Sequence, residues 1–152
     1  MIIGICGGSG SGKTTLLKRL AAFYGELHPT VFSMDNYYLP IDQQISDENG
    51  HVNFDLPTAL DEERLVQDLR SLREGKSIEV KEYHFNAPPN KSVLITLDPS
   101  PIIIVEGLFL FHYSEVNQLL DFSIFMEAIV FLLLFVFSYC FFEENRNELL
   151  LL

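Results

Sequence analysis

Basic residues are scarce in this 152-residue chain: lysine and arginine number 10 against 21 aspartates and glutamates, a formal charge of -11. A surface of that sign repels a phosphate backbone, which excludes nucleic-acid binding as a primary role. Cysteine is as sparse. Cys6 and Cys140 have apolar neighbours and no metal-like spacing, so no disulfide framework or thiolate metal site is expected, only buried free thiols in a reducing compartment. The N-terminus lacks a basic segment and a small-residue cleavage site, because the apolar stretch at 2–6 runs straight into glycines. A secretory leader is not indicated, and the expected location is cytoplasmic. Long apolar runs are missing too. The longest uncharged stretch, Ala128–Phe142, has fifteen residues, short of the ~20 that a helical membrane span needs. It also carries no basic stripe for lying on a membrane surface.

What is present reads as one domain. MIIGIC forms a short buried strand, and TTLLKRLAAFYG reads as a helix with Leu16, Leu17, Leu20 and Phe23 on one face, ended by Gly25. TVFSM predicts a second strand leading to Asp35, and the polar stretch after Pro40 predicts a long irregular connection. Thr58 and Asp61 suggest a capping box before a helix whose Leu65, Leu69 and Leu72 share a face. SIEVKEYHF and SVLITL alternate like two strands leaving the main sheet, with Pro88 and Pro89 between them opposing regular pairing. PIIIVEG suits a central parallel strand covered on both faces, and FSIFME a further strand. Strands alternating with helices predict an α/β domain with a mainly parallel sheet and a small β-hairpin excursion.

The chemistry starts in GGSGSGKTT. Gly7, Gly12, Lys13 and Thr14 fit GxxxxGK[ST], flanked by a strand and a helix as that motif requires. Gly7, Gly8, Ser9, Gly10, Ser11 and Gly12 let the backbone curl so that N–H groups face phosphate oxygens, while the helix that follows presents its positive end. Lys13 adds a mobile charge, the Thr14 hydroxyl suits Mg²⁺, and Thr15 completes the loop. The expected fold is a P-loop NTPase-type three-layer sandwich. A phosphotransferase also needs carboxylates beside this loop. Glu106, ending the IIIVE strand, is a candidate for organising magnesium or water, and Asp35, ending the second strand, for taking a proton from an acceptor hydroxyl while touching the metal shell.

GGSGSGKTT, MDNYY, NFDLPTALD, EYHF and IIIVEGLF follow one another in an order and spacing that resembles the uridine kinase family within the phosphoribulokinase and uridine kinase group of P-loop kinases. The resemblance spans residues 1 to about 127. It implies Mg²⁺-dependent transfer of a γ-phosphoryl from ATP or GTP to the 5′-hydroxyl of uridine or cytidine, as in pyrimidine salvage. It further implies Asp35 and Lys13 as catalytic residues, Tyr38 lining the acceptor site, Asp55 holding ribose hydroxyls, and Phe54, Tyr83 and Phe85 around the base. Family members often form homo-oligomers. Where the family's nucleoside kinases often carry a histidine after the aromatic pair, this chain reads NAPPN.

After FSIFME the family continues into a helix and an arginine-rich lid, whereas here no lysine or arginine occurs between Lys91 and Arg146. The division expected is a kinase-like core at 1–127 and an atypical apolar tail at 128–152, the product of a truncated or frame-disrupted gene. Three other readings stay open: another small-metabolite kinase of the phosphoribulokinase type, a nucleotide-binding module with little or no turnover, or, least expected, a tail-anchored membrane protein.

Overall fold

The computed structural model describes residues 1–46, 48, 51–82 and 93–127. Tyr83, Phe85, the Pro88–Pro89 pair, Cys140 and the 128–152 tail lie outside the described residues, and with them the expectations placed there.

Four strands form a parallel sheet: β1 (Ile2–Gly7), β2 (Thr30–Ser33), β5 (Ile103–Gly107) and β6 (Phe122–Met126). Their spatial order is β2-β5-β1-β6. β5 is central and buried at every residue, as its unbroken branched apolar run predicts for a strand covered on both faces. Helix α1 (Lys13–Phe23) links β1 to β2, and α3 (Ser114–Leu119) links β5 to β6. Helix α2 (Glu62–Arg73) and an antiparallel pair, β3 (Ile78–Lys81) with β4 (Leu94–Leu97), lie between β2 and β5 in the chain.

Alternation along the strands divides the core in two. Ile3, Ile5, Ile102 and Ile104 pack with Leu16, Leu17, Leu20, Ala21 and Tyr24 of the α1 region. On the other face, Ile2, Cys6, Ile103 and Val105 join Leu65, Leu69 and Leu72 of α2 and Val116 of α3. The result is a three-layer α/β sandwich, as the strand and helix order predicts. Fully burying an aliphatic side chain is worth about 1.5–3 kcal/mol, so the α2 side, with four buried residues on that helix alone, is the firmer. Helix α1 buries none completely. Cys6 is a buried free thiol, as anticipated.

Three local expectations need correction. Phe23 does not join the α1 core face but is 79% exposed, and Tyr24, just past the helix end, packs there instead. Thr58 is not the cap of α2. Asp61 is, accepting a hydrogen bond from the Arg64 N–H at 3.0 Å, because Pro57–Ala59 turns as a separate 3₁₀ segment that delays the helix start. β3 and β4 pair in regular register, Ile78 opposite Leu97 through Lys81 opposite Leu94, since the ladder ends before the proline pair is reached.

Candidate active site

Parallel strands place their C-terminal ends, and whatever follows them, along one edge of the sheet. Here β1 delivers the glycine loop, β2 delivers Asp35 and β5 delivers Glu106 to the same rim. A cleft of about 270 Å³ opens there, lined by Ser9, Gly10, Lys13, Thr14, Asp35, Tyr38, Asp55, Glu106, Gly107 and Leu108.

The loop is shaped by backbone conformations that glycine adopts readily. Gly10 and Gly12 have φ of 73° and 92°. At Gly7 the constraint is space, since a Cβ there would stand 2.2 Å from the Met126 carbonyl oxygen. Beyond Gly8 and Gly10, by contrast, nothing lies within 4 Å of where a Cβ would be, which leaves the mouth of the loop open. Gly12 is the N-cap of α1 and offers no side-chain cap, and no acidic residue occupies the first turn. The amides of that turn are left for an anion. Ser11 Oγ is buried without a hydrogen-bond partner among the described residues, a further polar atom that the chain itself leaves unsatisfied.

Lys13 folds back over the loop, its Nζ donating to the Gly8 carbonyl at 2.8 Å. Its charge is felt by both carboxylates. Burial pushes the Asp35 carboxyl above the ordinary aspartate value, and Lys13 opposes the rise. Glu106, 8% exposed, is also raised by burial and further by Asp35, while a hydrogen bond from Ser33 and the charge of Lys13 pull it down.

Ser33 is the residue that sequence reasoning missed. It pairs with Glu106 across the β2–β5 ladder, and its hydroxyl also accepts the Asp35 N–H at 3.2 Å. One side chain thus fixes both acids. Only the strand register reveals this, so no local pattern in the sequence carries it. Met34, Asp35, Asn36 and Tyr37 form a 3₁₀ turn, with Met34 fully buried, which turns Asp35 out of the sheet toward the loop.

Of the expected acceptor residues, Tyr38 and Asp55 line the cleft. Phe54 stands beside it, edge-on to Tyr38 with ring centroids 5.8 Å apart, and its carbonyl accepts from the Tyr38 hydroxyl at 3.4 Å. The Asp55 N–H is held by Asn53 Oδ1 at 2.9 Å. Thr15 is exposed and is not among the lining residues.

Among the described residues no three of His, Cys, Asp and Glu gather as a metal cage. A hydroxyl and two carboxylates on one cleft nevertheless fit Mg²⁺, which keeps several waters and is usually held by one or two protein groups plus substrate phosphates. Thr14, Asp35 and Glu106 are such a set.

The family model described as Phosphoribulokinase / Uridine kinase family matches residues 2–134. A curated uridine kinase of Macrococcus caseolyticus is 36% identical over 127 residues, covering 84% of this chain and 62% of the relative. One from Borrelia duttonii is 38% identical over 127 residues, covering 84% and 60%. A solved structure described as a possible uridine kinase from Bacillus stearothermophilus is similar with a TM-score of 0.66 at 25% identity, over 82% of this chain and 69% of that one. The chain spans about three-fifths of the length of the curated relatives it matches. With the match running from the first strand through the last described one, the chain belongs to the phosphoribulokinase / uridine kinase family.

Proposed function

We propose that this chain is a uridine kinase-like phosphotransferase, moving the γ-phosphoryl of ATP or GTP to the 5′-hydroxyl of uridine or cytidine. The observation that carries the reading is the meeting of Lys13, Thr14, Asp35, Glu106, Tyr38 and Asp55 on one cleft. The names of its relatives support the choice of acceptor.

In this reading the amides of the loop and of the first turn of α1 grip the triphosphate. Lys13 leaves the Gly8 carbonyl to meet the β- and γ-phosphates. Asp55 accepts hydrogen bonds from the ribose hydroxyls, and Tyr38 with Phe54 borders the sugar and base. Asp35 receives the proton of the 5′-hydroxyl as its oxygen bonds to the γ-phosphorus and the bond to the β,γ-bridging oxygen breaks. The products are a nucleoside monophosphate and a nucleoside diphosphate. Thr14, Asp35 and Glu106 would hold Mg²⁺, which would supply charge neutralisation at the phosphates when bound. The site lies in the cytoplasm, and no nucleic acid takes part.

A second reading has one observation of its own. Lys13 is the sole cation among the described residues lining the cleft, and phosphoryl transfer commonly uses an arginine worth several orders of magnitude in rate. A nucleotide-binding module with little turnover would look the same. A coupled assay with uridine and cytidine, run beside calorimetry with magnesium and ATP, separates the two. Phosphorylation abolished by Asp35→Asn supports the kinase. Donor binding without phosphorylation selects the module, and absence of donor binding overturns both.

A further inference from the structure

Helix α2 carries a polar cluster that the cleft itself does not use. Tyr37, 3% exposed, stands two residues beyond Asp35, and its hydroxyl donates to Asp68 Oδ2 at 2.9 Å. Arg64, one helical turn before Asp68, places its Nε 3.9 Å from the same carboxylate oxygen. The guanidinium lies 6.0 Å from the centre of the Tyr37 ring and donates through Nη2 to the Glu79 carbonyl on β3 at 2.9 Å. Helix α2 already buries Leu65, Val66, Leu69 and Leu72, so Arg64 and Asp68 are not needed to cover the core. A half-buried carboxylate also costs desolvation that an apolar side chain would not.

The backbone around Tyr37 explains what the cluster holds. The Tyr37 carbonyl accepts from the Asp61 N–H at 2.8 Å, and the Leu39 N–H donates to the Ala59 carbonyl at 2.9 Å. Tyr38 and Leu60 form an isolated antiparallel bridge between these two contacts. The turn bearing Asp35 is thereby tied to the segment that follows Asp55, and Tyr37 is its buried anchor.

We propose that Tyr37, Asp68 and Arg64 are positioning residues, a brace that fixes the Asp55 side of the cleft and strand β3 at a set distance from Asp35. The role rests on the acceptor reading above. It makes the brace act on the acceptor and not on the donor, whose loop belongs to β1 and α1 on another part of the sheet.

The test uses the full chain with Tyr37→Phe, Asp68→Ala, their double variant, and Asp68→Asn, which keeps an oxygen for the tyrosine hydroxyl. Loss of the brace raises the KM for uridine and lowers kcat, together by roughly fivefold, the worth of one hydrogen bond. The affinity for ATP measured without magnesium stays within about twofold, because the loop that grips the phosphates is not touched. The double variant is no worse than either single, and Asp68→Asn recovers most of the loss. Amide exchange at Asp61 and Leu39 quickens by a similar factor in the disrupted variants. Additive losses, an equal fall in donor affinity, or unchanged exchange at both amides would overturn the brace. Should the unmodified chain fail to phosphorylate uridine, the acceptor reading falls, and exchange at Asp61 and Leu39 still decides whether the brace exists.

Discussion

Two acids share the rim of one cleft, and Ser33 ties them together. Burial raises both Asp35 and Glu106 above their ordinary values, so the folded chain keeps protons that the unfolded chain would release. The sign follows: stability is highest below the unfolded-state values and declines as pH rises through the raised folded ones. Glu106→Gln removes the charge yet leaves an oxygen for the Ser33 hydroxyl. It should melt above the parent at pH 7, with the gap closing on acidification, while phosphoryl transfer is lost; thermal scans across pH read both. Ser33→Ala should lower kcat by about 5- to 30-fold, or about 1–2 kcal/mol, the scale of a single hydrogen bond, with Ser33→Thr recovering part of it. A turnover unchanged in Ser33→Ala would mean that the strand ladder alone sets the two acids. At this scale the sequence was legible where chemistry is local. Lys13 and Thr14 follow from the glycine spacing, and Asp35 from its place at a strand end. Ser33 was not legible, because its meaning comes from a pairing with a residue far along the chain.

Among the elements, β5 and the turn after β2 are fitted to each other. A Cβ on Gly107 would stand 2.1 Å from Met34 Sδ and 2.8 Å from its Cβ, and Met34 is fully buried beside Asp35. Gly107→Ala should therefore destabilise the fold by roughly 1–3 kcal/mol, the usual cost of overpacking, and depress turnover through the displaced turn. Adding Met34→Ala should restore part of the stability in denaturant titrations; no relief would place the strain elsewhere. Strand and helix types were readable because period and length separate them: an unbroken IIIVE run can only be central, and Leu65, Leu69 and Leu72 can only be one face. Ends were harder. Phe23 falls at the last turn of α1, where the helix has rotated past its packing face, and the start of α2 depends on how Pro57–Ala59 turns, a choice made by the Tyr113 hydroxyl on the Pro57 carbonyl at 2.6 Å as much as by sequence. β3 and β4 pair because their ladder is complete within four residues a strand, too short for the prolines to interfere.

For the molecule as a whole, the two faces of the sheet are unequally supported. Helices α2 and α3 cover one face and bury Leu65, Val66, Leu69, Leu72 and Val116 against it. The other face rests on α1, which buries no residue completely, and which leaves Phe23 at 79% exposure. The same helix begins in the phosphate loop. Donor binding should thus raise global stability by about 2.7 kcal/mol at a hundredfold excess over Kd, measured as a concentration-dependent Tm. A Tm that does not move with magnesium and ATP would deny any link between loop and fold. Family membership shows in the spacing of separated motifs, of which GGSGSGKTT, MDNYY and IIIVEGLF mark the ends of three parallel strands, and the sheet brings those ends together.

That lopsided support gives the protein a built-in gauge. Starved of nucleotide, it should surrender the run from Lys13 to Phe23 to a protease before any other described helix; supplied with it, the cuts should fade in step with occupancy, so that cleavage at Lys18 or Arg19 reads the concentration of donor.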